Sequence, residues 1–502
     1  MEGFREKIKK GLGWGPGMGI VAVCAVVVLL LLLLPLLRLA LYAAPWYDDY
    51  NYGKVVKVCL AQDYSLLSAL KGAVECARRE WWAWQGTFSS VFFMSLMPGV
   101  WGDEYYALGP IFLLLLLTVS ICRLVKVLAR DVLKAQWPFC VIWQAAASAM
   151  ALVLVHNSQM GFFWYNAGIH YMGMHSFFLL LLASWIGVLV AERKASLPVR
   201  VLCTCVGAVA VSGANYVTTL QGLVVGISLL ALAAVLRNRR AFLLLPSLMI
   251  YGYGFYKNVA APGNMKRGVS YQGWGLDPIS AIGSSFLEAF RYFGRFTGLI
   301  TLTVVLLLAP IIWLAVRKLR FRFRYPGLLL LWSFCLYATG FTPSLYTLGH
   351  AGLDRTLNAV KLTLQILLLV NEVYWLGWLH GRLAGAGRLA REPKEGERIP
   401  FVFYIAVLGM ALAVFMTRPN PVGGYSSWDA YDCIHKGEAY NFHQEYLERV
   451  ETIKQGGSTV TVKPYGFRPW ILSPDELSED PQNEPNRSMA MWYDKEAIIC
   501  QP

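Results

Sequence analysis

Two carboxylates stand side by side at Asp48 and Asp49, within a cluster of rings formed by Trp46, Tyr47, Tyr50 and Tyr52. They follow a long apolar run, 18–44, almost at once. Charge at the edge of an apolar phase is costly to desolvate, so the pair asks for a reason. One reading is a catalytic or cation-binding carboxylate pair facing a lipid-borne substrate. The other is a solvated stop after a membrane helix, with the rings as an interfacial belt.

Further along, Pro262 and Gly263 mark a turn, and Asn264, Lys266 and Arg267 follow it. Two cations there are what phosphate recognition needs, arginine being able to fork two oxygens. Arg355 sits just before another apolar run, where it pairs with its neighbour Asp354 or with an anionic ligand. Two uncharged turns carry rings and neutral donors: one holds Trp164, Asn166 and His170, the other Asn215 and Tyr216. Stacking rings with neutral donors suit a sugar face and its hydroxyls, although an aromatic belt looks similar. His170 and His175 have no third partner in register and are a weak metal signal.

The elements that position these residues are membrane spans. The chain has 502 residues, 56% hydrophobic and only 15% charged, which excludes an ordinary soluble domain. Hydropathy predicts about eleven spans, near 18–44, 107–127, 137–155, 171–191, 201–212, 218–236, 242–256, 296–316, 327–339, 359–378 and 401–416. The first is too long for the apolar part of a cleaved signal and has no convincing cleavage site. Lysine and arginine gather at the N-terminus and in alternate loops, at 123–134, 193–200, 237–240, 317–324 and 382–398. Positive-inside bias therefore predicts a cytoplasmic N-terminus, and an odd span count an outer C-terminal domain, 418–502. Basic loops account for the net charge of +14. No basic stripe interleaves with stacking rings, so nucleic acid is not an expected partner.

The first outer loop, 45–106, carries an apolar stripe through Leu67, Leu70, Val74, Ala77, Trp81, Trp84, Phe88 and Phe92. This spacing predicts a helix lying in the membrane interface. The tail predicts a small α+β domain, with a helix over 440–455 and a strand over 458–462. Four of the ten cysteines fall in outer segments, predicting Cys59–Cys76 and Cys433–Cys500 bridges. No phosphate-binding loop, dinucleotide fingerprint, HExxH or GxSxG motif is present.

An outer Asp-Asp pair directly after a first span, followed by interfacial helices, resembles the GT-C superfamily of membrane glycosyltransferases. More narrowly, the chain is similar to an uncharacterised bacterial membrane family within or near it. The matching pieces are Asp48-Asp49-Tyr50-Asn51-Tyr52, Trp84-Gln85-Gly86, Phe163 to Gly168, Gly213-Ala214-Asn215-Tyr216, Ala261 to Arg267 and the tail near 486–499. The Pro-Gly-Asn-x-x-Arg piece is the most specific. The resemblance implies an all-α polytopic fold whose membrane domain, 1–417, lies in the cytoplasmic membrane. It implies transfer of a sugar from a polyprenyl-phosphate donor to an envelope glycan or lipid-linked acceptor outside, with inversion. Asp48 would then be the general base, with Asp49 positioning it or holding a divalent cation such as magnesium or manganese; the order of the two stays open. Lys266, Arg267 and Arg355 would bind the donor phosphate. Tyr52, Trp84, Trp164, Asn166, His170, Asn215, Tyr216, Asn264 and His350 would line the substrate. The rival class is a transporter or flippase of a lipid-linked glycan, for which paired repeats would be the sign.

Overall fold

The computed structural model describes residues 17–192, 194–270, 275–386, 423–473 and 475–501, with a few more between 404 and 412. It is an all-α membrane protein with little sheet. Among the described residues, seven helical segments are long and apolar enough to cross a bilayer: Met18–Ala40, Asp103–Val132, Tyr165–Leu189, Tyr216–Val235, Leu299–Val316, Pro326–Leu348 and Asp354–Gly385. Trp137–Val153 and Leu197–Ser212 are apolar but shorter. Three of the eleven expected spans need comment. The expected 242–256 span is a helix, Leu245–Val259, of 15 residues, about 22 Å at the α-helical rise. The short 327–339 segment gains length from a second helix, Thr342–Leu348, that continues it. The 401–416 span lies largely outside the described residues.

In chain order we label α1 Met18–Ala40, α2 Asp48–Asp63, α3 Leu66–Ala83, α4 Phe88–Ser95, α5 Leu108–Lys126, α6 Trp137–Val153, α7 Tyr165–Leu189, α8 Leu197–Ser212, α9 Tyr216–Val235, α10 Leu245–Val259, α11 Pro262–Ser270, α12 Pro278–Phe296, α13 Leu299–Val316, α14 Pro326–Thr339, α15 Thr342–Leu348 and α16 Asp354–Gly385. α1 packs on α6, and its Ile20, Leu31 and Leu34 point outward, as lipid-facing positions do.

The first loop folds as three helices. Asp48 and Asp49 form the first turn of α2, so they sit on a rigid element. α2 and α3 form a helical hairpin, and Ser65 caps α3 by accepting from the Ser68 N–H at 3.1 Å. The apolar stripe is interrupted between Trp84 and Thr87. Its first half faces out: Leu66, Leu67, Leu70, Val74 and Trp82 are exposed, while Ser68, Ala69, Gly72, Ala73 and Cys76 face α2. The small residues let the backbones approach closely; a Cβ on Gly72 would lie 3.0 Å from the Val56 Cα. An outward apolar face on a helix beside the spans is how an interfacial helix is built.

The tail forms α17 Ser426–His435, α18 Glu438–Gln455, α19 Glu484–Trp492 and two parallel strands, β1 Thr459–Val462 and β2 Ala497–Cys500, in the register Thr459↔Ala497 to Val462↔Cys500. Phe442, Tyr446, Val450, Ile453, Ile498 and Trp492 fill its core. α17 lies on α1, the Ser427 hydroxyl donating to the Leu32 carbonyl at 2.7 Å.

The expected disulfides are corrected. Cys59, Cys76, Cys433 and Cys500 are all free thiols. Cys59 lies opposite Gly72, whereas the Cys76 thiol donates to the Tyr52 carbonyl at 3.7 Å. Tyr52 and Cys59 are two helical turns apart, about 10 Å, beyond a disulfide's reach. Peptide mapping of unreduced protein should therefore recover all four as alkylatable thiols. A linked Cys59–Cys76 peptide would require a different α2–α3 hairpin.

Candidate functional site

Asp49 has no exposed surface, and its carboxylate accepts four hydrogen bonds. Oδ2 receives the Trp46 N–H at 2.9 Å and the Tyr106 hydroxyl at 2.7 Å. Oδ1 receives the Asn166 N–H at 2.9 Å and the Asn166 side-chain amide at 2.7 Å. The Tyr106 hydroxyl in turn accepts from the Tyr165 N–H at 3.0 Å. Tyr165 and Asn166 begin α7, so two N–H groups that the helix leaves without partners are capped from a distant loop. Burial pushes the Asp49 carboxyl up to about 6, while the bonds from Asn166, Trp46 and Tyr106 oppose that. All four partners are donors, which suits the ionised form.

Asp48, on the same turn, makes no hydrogen bond among those described and is half-buried. Burial pushes its carboxyl up to about 6; Arg355 and Arg267 pull it down, and Glu484 and Glu80 push it up. The two aspartates thus part company: Asp49 faces inward to donors and Asp48 faces a basin of charge.

The cations reach the basin from two sides. Arg355, second residue of α16, has its guanidinium carbon 5.8 Å from the Trp164 ring centre, and its buried Nε has no partner. Asp354 does not neutralise it, because Asp354 is held by His156 at 3.1 Å and by the Asn157 amide at 3.1 Å. Arg267, on α11, lies 5.2 Å from the Trp84 ring centre and donates to Gln85 Oε1 at 3.3 Å. The Gln85 amide donates to the Tyr52 hydroxyl at 2.8 Å, so Tyr52 steadies Arg267 through Gln85. Both guanidiniums also act on His170. Three further polar atoms are buried without partners: Trp164 Nε1, His170 Nδ1 and Asn166 Oδ1. Of the helices that begin here, α7 spends its first N–H groups on Asp49 and the Tyr106 hydroxyl, α9 is capped by Asn215, and α16 carries Arg355 in its first turn. α16 has no side-chain cap.

Other expected site residues build the support. Asn264 accepts from the Gly86 N–H at 2.9 Å and the Tyr216 hydroxyl at 2.6 Å, and donates to the carbonyls of Asn258 at 2.8 Å and Val259 at 3.0 Å. Its hydrogen bonding is complete, so it positions α11 and leaves nothing for a substrate. Asn215 caps α9 through the Thr218 N–H at 3.0 Å and donates to the His170 carbonyl at 2.6 Å. Tyr216 spends its hydroxyl on Asn264. Lys266 is exposed on α11. His350 is exposed and its Nδ1 accepts from the Gly352 N–H at 3.2 Å, which makes it a loop brace. Asp49 as a cation ligand fits poorly, since four donors occupy its oxygens and the nearest charges in the basin are guanidiniums. No group of three or more His, Cys, Asp or Glu side chains converges as a metal site among the described residues.

Sequence reasoning missed Tyr106, Gln85, Asn258 and Glu484. Gln85 stands beside Trp84 in the piece Trp84-Gln85-Gly86, and that neighbour was its available signal. Asn258 is fully buried and donates to the carbonyls of Ser212 at 3.2 Å and Ala214 at 2.8 Å. A lone asparagine near the end of an apolar run was the available signal. Tyr106 and Glu484 act across long stretches of chain and left no local signal.

No family model, curated protein or solved structure matches the chain.

Two variants separate the aspartates. Asp49→Asn turns an acceptor into a donor against donors. It should destabilise the fold by about 1–3 kcal/mol for each buried N–H left without an acceptor, read as a lower melting midpoint in detergent. Asp48→Asn should melt as wild type does. Gly86→Ala should also fail to fold stably, because a Cβ there would sit 1.8 Å from the Asn258 carbonyl oxygen.

Proposed function

We propose that the protein is a membrane glycosyltransferase that moves a sugar from a polyprenyl-phosphate donor to an acceptor hydroxyl of an envelope glycan or lipid-linked glycan. The observation that carries this reading is a half-buried carboxylate without hydrogen bonds, Asp48, in the field of Arg355, whose buried Nε has no partner, and Arg267. A carboxylate raised to about 6 is largely ionised at neutral pH yet still basic, which suits a general base. Guanidiniums stacked on tryptophan, beside helix N-termini, suit a phosphate leaving group.

In the proposed step the acceptor oxygen bonds to the anomeric carbon while the bond from that carbon to the phosphate oxygen breaks. Asp48 takes the hydroxyl proton. The electron pair leaves with the lipid phosphate, whose growing charge Arg355 and Arg267 stabilise. One displacement inverts the anomeric centre. Trp84 and Trp164, already under the guanidiniums, bound the sugar, and the unpartnered atoms of Trp164, His170 and Asn166 offer hydrogen bonds to its hydroxyls. No step runs through a divalent cation.

The basin lies at the ends of α5, α9 and α16 opposite the basic residues 123–134, 237–240 and Arg382. Positive-inside bias supports an outer face of the cytoplasmic membrane for it. Outward apolar faces on α3 and on α12, where Ile279, Leu287 and Phe290 are exposed, keep lipid close to it.

The test is purified protein in vesicles, given radiolabelled polyprenyl-phosphate sugars and an envelope glycan extract. Label should pass to the glycan, and Asp48→Asn should slow transfer by roughly 10²–10⁴ with donor affinity unchanged. Arg355→Ala should weaken donor binding by about 10- to 100-fold, the worth of a charge-assisted hydrogen bond. The rate should rise with pH through about 6 as Asp48 loses its proton, and that limb should vanish in Asp48→Asn. Movement of the donor between leaflets without transfer would replace this reading with a flippase.

A further inference from the structure

The tail is joined to the site by more than proximity. α19 runs along α2. Its Trp492 lies 5.5 Å from Tyr50, ring centre to ring centre, and 3.1 Å from where a Gly53 Cβ would be. Lys57 donates to the Trp492 carbonyl at 2.8 Å and sits 4.2 Å over its ring; Lys54 pairs with Asp494. At the other end of α19, in its first turn, Glu484 accepts a hydrogen bond from the Tyr47 hydroxyl.

Tyr47 is the residue before Asp48, and its backbone is unusual. It has φ 35° and ψ −92°, outside the regions that a bulky side chain prefers. Such a conformation persists only where its surroundings hold it, and it sets the direction from which α2 begins. The backbone at Asp49 is fixed on the other side by the Asp49 carboxylate. The side that carries Asp48 is fixed through Tyr47, and the hydroxyl of Tyr47 is held by the tail.

We propose that Glu484 is a positioning residue of the site: its hydrogen bond to Tyr47 sets the turn that aims Asp48 at Arg355 and Arg267. The tail is then a working part of the site. This rests on Asp48 being the base. The ionisable groups facing Asp48 are Arg355 from α16, Glu484 from α19, Arg267 from α11, Glu80 from α3 and Tyr52 on its own helix. Arg355 and Arg267 favour the carboxylate, while Glu484 and Glu80 oppose it. Removing the Glu484 charge should therefore make Asp48 easier to ionise.

The experiment follows the Asp48 carboxyl by infrared difference titration of the full-length, substrate-free protein, the band being assigned by its loss in Asp48→Asn. Glu484→Gln keeps an acceptor for Tyr47 and removes the charge. It should move the titration midpoint to lower pH by roughly 0.5 or more, the effect of one charge close to a half-buried carboxyl. Tyr47→Phe keeps the charge and removes the hydrogen bond. It should lower transfer at least tenfold at saturating donor, with KM for the donor little changed. Should Tyr47→Phe fail to fold, Glu484→Gln carries the test alone. An unmoved midpoint in Glu484→Gln, or wild-type turnover in a folded Tyr47→Phe, would overturn the inference. Wild-type turnover in Asp48→Asn would instead remove the base assignment, whatever the titration showed, so the two failures are distinguishable.

Discussion

The structure depends on one buried carboxylate. Asp49 holds donors from its own turn, from the end of the first loop and from the start of α7. Asp49 and Asn166 are 117 residues apart in the chain, with Tyr106 midway between them. A carboxylate withdrawn from water must have its oxygens satisfied, and here each oxygen accepts twice. The interaction is therefore self-selecting. The loop helices dock in the one arrangement that brings Trp46, Tyr106 and Asn166 to Asp49. That arrangement fixes α2 against the spans and turns the neighbouring Asp48 the other way.

A second, independent lock holds Arg267. Gly86 and Gly263 allow two backbones to touch, and a Cβ on either would collide with main-chain atoms. Asn264 then stitches them with four hydrogen bonds, and Asn258 ties the pair to the turn before α9. The segments Trp84-Gln85-Gly86, Gly213 to Tyr216 and Ala261 to Arg267 are thus one object, held by backbone contact and amide saturation, with Arg267 as the charge they carry.

Much of this was legible in the chain. Length and hydropathy gave a multi-pass helical protein, and the tail's helix and first strand fell within a residue or two of 440–455 and 458–462. Several polar turns singled out in the chain come together in space, since Asp48, Tyr52, Trp84, Trp164, His170, Arg267 and Arg355 meet at one basin. What remained hidden was direction. Adjacent residues on a helix face about 100° apart, so a pair of aspartates in sequence carries no sign of which one turns inward. The stripe on α3 does face outward, as the interfacial reading expects, although periodicity alone marks an apolar face and not what covers it. The break at Gly86 was a glycine inside a helical pattern, and its cause, the Asn258 carbonyl, lay far along the chain.

The division of labour between the aspartates has an energetic logic. If Asp49 faced the basin, its charge would be shared with the guanidiniums and the fold would lose its clamp. Hydrogen bonds of that kind on Asp48, added to the pull of the two guanidiniums, would lower its proton affinity and occupy the oxygens that the proposed proton transfer needs. Burial without hydrogen bonds raises proton affinity, while two guanidiniums keep the group ionised at neutral pH, so Asp48 is poised between these opposing effects. Trp84 and Trp164 lie beneath the same guanidiniums. A carboxylate without donors, Asp48, and a guanidinium whose buried Nε has no partner, Arg355, are each unstable choices alone. Set facing one another they offset each other, which is the arrangement that the proposed transfer requires.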